Sequence, residues 1–101
     1  QLIAYGKYLE PSLGIETDEH INRLSQARLG FDGVMVLRTI PGTSAEKAGL
    51  RGIVVYPDGS FDPGDIILSI DGKPIHSVKD LGETLENYKV GDIVTVEIAR
   101  N

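Results

Sequence analysis

The chain carries two imidazoles, His20 and His76, and neither has another His or Cys three or four residues away. A zinc ion needs several nitrogen or sulfur ligands converging on one point. Both histidines therefore read as polar residues near helix starts, and no metal ligand is expected. The serines Ser12, Ser25, Ser44, Ser60, Ser69 and Ser77 fall at turns, caps or polar positions, and none stands in a Gly-x-Ser-x-Gly elbow. Neither a Gly-x-x-x-x-Gly-Lys phosphate loop nor a Gly-x-Gly-x-x-Gly fingerprint occurs. Asp58, Asp62 and Asp65 crowd one stretch, but they lack the spacing of a calcium loop and each adjoins a Gly or Pro, as turn residues do. The expectation is binding rather than catalysis: no catalytic residue, no cofactor and no metal.

The charge balance narrows the partners. Fifteen Asp and Glu against ten Lys and Arg give a net charge of -5, which disfavours nucleic acid, since phosphates need clustered cations. The longest apolar runs, such as Val34–Leu37, are far too short to enter a membrane, and no signal-peptide pattern is read at the start. With no cysteine, disulfides and thiolate metal sites are excluded. A length of 101 residues fits one domain with one modest core, and 41% hydrophobic residues can fill it.

The elements follow from the pattern. Leu2, Ile3 and Tyr5 before Gly6 suggest the last turns of a helix within Gln1–Tyr8. Pro11 forces extension, so residues 14–17 form a short strand. Asp18 caps a helix to Leu29 on which Ile21, Leu24 and Leu29 recur at near-helical spacing. The run Gly33–Ile40 is rich in β-branched residues and predicts one buried strand. Thr43 or Ser44 starts a short helix that Gly49 stops. Ile53–Tyr56 and Phe61 flank Pro57-Asp58-Gly59 in a hairpin-like excursion. Asp65–Ile70 is a second buried strand, returned by the Asp71-Gly72 turn into Lys73–Ile75. Ser77 and Asp80 open a helix to about Tyr88, and Ile93–Ala99 alternates as a closing strand. About five strands and two or three helices in mixed order make an α+β fold, with a small, mostly antiparallel sheet or partial barrel.

Three runs carry a resemblance in order: Ser12-Leu13-Gly14-Ile15, then Gly42–Leu50, then Gly64–Gly72. Together they resemble a PDZ domain, in the circularly permuted arrangement of bacterial and organellar HtrA/Deg trypsin-like serine proteases. The resemblance implies a PDZ domain over residues 11–101, with residues 1–10 ending a linker from an upstream protease domain. It further implies that the catalytic Ser, His and Asp lie in that upstream domain, outside this chain, and that the parent is extracytoplasmic, in the periplasm or at the envelope. The implied ligands are free C-termini or exposed extended segments of unfolded protein, and the implied neighbours are the protease domain and other copies of the parent.

On that resemblance, Ser12, Leu13, Gly14 and Ile15 form a carboxylate-binding loop. Their amides can make an anion nest. Gly14, Ile15, Glu16 and Thr17 offer an edge for strand addition. On the helix of 77–88, Val78, Gly82 and Leu85 recur at i, i+4 and i+7 and would line a groove, while Leu81, Thr84 and Tyr88 face the core. Glu10 departs from the Arg or Lys that many relatives carry before the loop, and its charge would oppose a ligand carboxylate. Two alternatives stand beside this reading. One is a structural or oligomerisation domain whose groove is closed or self-occupied, with the 51–63 excursion as its contact surface. The other is the PDZ domain of a different envelope protease, of site-two, Lon-like or C-terminal processing type.

Overall fold

A computed structural model describes residues 2–7, 14–89 and 92–100, the first segment by its backbone. Its main sheet is built on the alternating strand expected at the end of the chain. In β9 (Ile93–Ala99), Val94, Val96 and Ile98 are buried while the residues between them are partly open. An alternating pattern suits a strand that is covered on one face. On one side β9 pairs antiparallel with β1 (Leu2–Lys7), from Leu2 opposite Ile98 to Lys7 opposite Ile93. Leu2–Lys7 is thus a strand and not the expected helix: six residues find a continuous partner in β9, which tertiary pairing favours over local spacing. On its other side β9 pairs with β7 (Ile66–Ile70), which in turn pairs with β3 (Val34–Met35) and β8 (Lys73–Pro74).

The expected single strand over Gly33–Ile40 is divided. Val34–Met35 joins the main sheet, whereas β4 (Arg38–Thr39) pairs with β2 (Ile15–Glu16) in a separate ribbon. The chain changes sheets at residues 36 and 37, where the Val36 amide donates to Asp65 O and the Leu37 amide to Glu16 O. A third ribbon, β5 (Val54–Val55) with β6 (Phe61–Asp62), is the anticipated hairpin. At its tip Asp58 accepts from both the amide and the hydroxyl of Ser60, as a turn residue does. The resulting hydrogen bonds hold the Asp58 carboxyl below its ordinary range.

Three helices complete the described residues. Helix α1 (Glu19–Leu29) is capped by Asp18, which accepts from the Ile21 amide at 2.9 Å. Its orientation differs from the one its apolar spacing suggests. Ile21, Leu24 and Leu29 are exposed, and the buried residue is Asn22. The Asn22 side chain donates to Gly33 O and accepts from the Met35 amide, so burial leaves neither end without a partner. Helix α2 (Ser44–Lys47) follows Thr43, and Gly49 (φ +87°) closes it. Helix α3 (Val78–Leu85) starts at Ser77, whose Oγ accepts from the Asp80 amide. Asp71 at φ 50° and Gly72 at φ +81° make the tight turn of β7–β8. The Asp71 carboxylate accepts from Tyr88 Oη and the Thr95 amide, each at 2.7 Å. That bond to Asp71, with some burial, pushes the Tyr88 phenol up to about 12.

Candidate functional site

Gly14 begins the open edge of the β2 ribbon, and two features require glycine there. Its φ of +83° lies in the left-handed region, and a Cβ would overlap the side chain of Thr43. Thr43 is buried and its Oγ1 donates to Ile40 O at 2.6 Å. The Gly14 carbonyl accepts from the Ile40 amide at 2.8 Å. The first two sequence runs therefore meet in space, with residues 40–43 backing the loop end. Sequence reasoning did not place Thr43 at this site; its signal was only that it follows Gly42 in the second run.

β2 is hydrogen-bonded on one side alone among the described residues. The carbonyls of Gly14 and Glu16 point to β4, where the amides of Ile40 and Leu37 meet them. Alternation along an antiparallel strand then turns the N–H and C=O of Ile15 outward, to the unpaired edge. The Ile15 side chain points the other way into the fold and is 6% exposed. Thr17, beyond the strand, is half-buried. Ser12, Leu13 and Glu10 lie outside the described residues.

The proposed wall helix contributes to the same apolar cluster. Ile15, Leu81 and Leu85 belong to it, with Val78 and Tyr88 packed at its margin. Leu81 and Thr84 are buried as expected, but Leu85 is buried too, at 3% exposure, so its side chain serves the core as well as any groove. Gly82 is exposed, and a Cβ there would meet nothing within 4 Å. Among the described residues no packing demand accounts for a glycine at that point of the helix.

His76, expected to stand alone, ties the start of α3 to α1. Its carbonyl accepts from Gln26 Nε2 at 2.8 Å, and its Nδ1 lies 2.9 Å from Asp32 Oδ2. Among the described residues no group of three or more His, Asp or Glu side chains is arranged to hold a metal. No helix among them is long and apolar enough to cross a membrane.

Asp65 was expected to turn the entry to its strand; its main work is elsewhere. The carboxylate is 2% exposed and takes a bidentate pair of bonds from Arg100, at 2.8 and 2.7 Å, and a third from the Arg51 amide. Arg100 also donates to Gly49 O at 2.7 Å. The carboxylate raises the Arg100 guanidinium further above its ordinary value. One side chain thus joins the second and third sequence runs.

Comparison with known proteins agrees with this anatomy. A family profile described as PDZ domain matches residues 11–101. The chloroplastic Protease Do-like 1 of Arabidopsis thaliana is 39% identical over 102 residues, which are 99% of this chain and 22% of that protein. The periplasmic serine endoprotease DegP of Escherichia coli K12 is 31% identical over 104 residues, covering 100% of this chain and 19% of the relative. The chain therefore spans about a fifth of the length of these curated relatives. Among solved structures, the PDZ domain of a choanoflagellate SHANK1 bound to a GIRK3 peptide superposes with a TM-score of 0.64. That likeness covers 99% of this chain and 91% of the other at 19% identity, and it bears on the fold alone.

Proposed function

The chain belongs to the PDZ domain family, and from that premise we propose that it captures free C-termini or exposed extended segments of unfolded protein by strand addition. The observation that carries this reading is the edge of β2 that is unpaired among the described residues, with the N–H and C=O of Ile15 directed outward beside an apolar cluster. Main-chain bonds along such an edge give affinity, and a neighbouring pocket gives selectivity. The amides of Leu13, Gly14 and Ile15 receive the terminal carboxylate, Val78 lines the pocket with the buried Leu85 behind it, and Gly82 leaves it room. In this proposal the domain recognises substrate for, or regulates, an HtrA/Deg-type serine protease preceding it, in an extracytoplasmic parent that assembles with its own copies; the names of the relatives, a chloroplastic protease and a periplasmic serine endoprotease, support the protease part of it. The segment that leads in from that protease domain then joins this fold as β1, and the protease domain supplies the catalytic residues.

The test is titration of the 101-residue chain with matched peptides ending in a free carboxylate or an amide. Charge-assisted hydrogen bonds contribute about 1.5–3 kcal/mol, so amidation is expected to weaken binding by at least about tenfold. Equal curves would mean that internal segments, not termini, are the ligands. A second reading has its own observation. Ile21, Leu24 and Leu29 of α1 and Val55 and Phe61 of the hairpin are all more than 40% exposed, and Phe61 adjoins the α1 residues in one shallow depression. Contiguous exposed apolar surface marks an interface, and an assembly role would appear as concentration-dependent sedimentation with no peptide bound.

A further inference from the structure

The outer face of the β2–β4 ribbon carries a solvent-exposed charge pair. Glu16 lies directly across from Arg38, with Glu16 Oε2 3.8 Å from Arg38 Nε. The side chains remain 53% and 63% exposed. A contact this long and open leaves the Glu16 carboxylate able to accept a second cation. The nearby Asp18 carboxylate is already occupied as the cap of α1. Among the described residues, Glu16 is therefore the acid beside the free edge of β2 with capacity to spare.

The register of an added strand follows from the fold. Ile15 turns its backbone groups to the edge and its side chain inward, while Glu16 does the reverse. A peptide whose terminal carboxylate meets the Ile15 amide sets its last residue beside Ile15, with the side chain on the inward face. The penultimate residue then falls opposite Glu16, on the outer face. Arg38, Glu16 and that residue make one cross-strand row, with the acid in the middle.

We propose that Glu16 selects a Lys or Arg at the penultimate position of a bound C-terminal peptide, a selectivity that rests on the groove reading above. A penultimate acid would instead meet a like charge directly across the ladder, which is unfavourable. Because both groups face water the preference is modest, about two- to fivefold in affinity.

The experiment uses the 101-residue chain and a peptide set ending in the same apolar residue, with Lys, Gln or Glu at the penultimate position. A further peptide moves the Lys one place upstream, which keeps the net charge. Calorimetric titration at low salt is expected to rank penultimate Lys first and Glu last, with the displaced Lys close to Gln. In E16Q the gap between Lys and Glu closes; in R38Q, where Glu16 is unshared, it widens. The ranking surviving unchanged in E16Q, or the displaced Lys binding as well as the penultimate one, would overturn the proposal and leave the groove reading standing. Binding by none of the peptides would overturn the groove reading, and the selectivity with it.

Discussion

Arg100 and Asp65 share one ion pair but stand in unequal surroundings, and the inequality sets the cost of losing either. The Asp65 side chain is 2% exposed, whereas Arg100 keeps 23% of its side-chain surface in contact with solvent. Arg100→Met would strand a buried carboxylate with only the Arg51 amide for company, at a cost of about 3 kcal/mol. Asp65→Asn leaves the same volume and a guanidinium that can turn to water, for about 1–2 kcal/mol. Urea unfolding of both variants measures the order, and a costlier Asp65→Asn would show that the carboxylate's other bonds, not its charge, dominate. This pair also shows what a sequence withholds. Gly64-Asp65 is visible as a motif, but Arg100 is 35 residues away and carries no local sign of its partner. Gly14 is the opposite case: the run that contains it was legible, and its left-handed φ and its fit against Thr43 explain why glycine stands there.

Among the elements, α3 was legible in its start and its core-facing residues because those signals are local, but it ends at Leu85, short of Tyr88, and Leu85 belongs to the core. Ser77 and Asp80 mark its start, and its apolar stripe faces the core. Gly82 is the exception within it, and its exposed setting yields a prediction with two parts. Gly82→Ala places a methyl in open space, so the helix is expected to gain about 0.5–1 kcal/mol with little change in peptide binding. Gly82→Leu is expected to fill the proposed groove and selectively weaken peptides that end in large residues. Thermal unfolding and a comparison of peptides ending in Ala and Phe test the two parts, and unselective weakening would remove Gly82 from the groove. Helix α1 was legible in its span and its cap but not in its orientation. Spacing tells which residues share a face; it does not tell which face is covered. Here Asn22 donates to Gly33 O and accepts from the Met35 amide of β3, which holds the polar side inward, and Ile21, Leu24 and Leu29 are left outside. β1 was misread for a related reason, since the partner that makes it a strand lies more than eighty residues later in the chain.

For the molecule as a whole, the surplus of acids sets a long-range term that local contacts do not. A net charge of -5 repels a peptide carboxylate at a distance, and the proposed Glu10 contribution acts in the same direction nearby. Salt screens charges beyond about 8 Å at physiological strength. A peptide ending in a free carboxylate and carrying no other charge is expected to bind slightly better as salt rises. Glu10→Arg would tighten it several-fold and flatten or invert that trend, leaving the amidated peptide nearly unchanged. Unaltered affinity of this variant at low salt would place Glu10 away from the ligand.

The pairing of β1 with β9 also determines how the domain answers to force. Leu2 stands opposite Ile98, so the two flanks of the domain emerge side by side at one end of a single ladder. Tension applied across those flanks runs perpendicular to the strands and loads one rung at a time, peeling the ladder open instead of shearing it. The Arg100 clasp onto Asp65 and Gly49 sits immediately beyond Ile98 and bears the load first. Once the clasp slips, the rungs from Leu2 to Lys7 part in succession, and β9 is stripped of one neighbour while it stays bonded to β7.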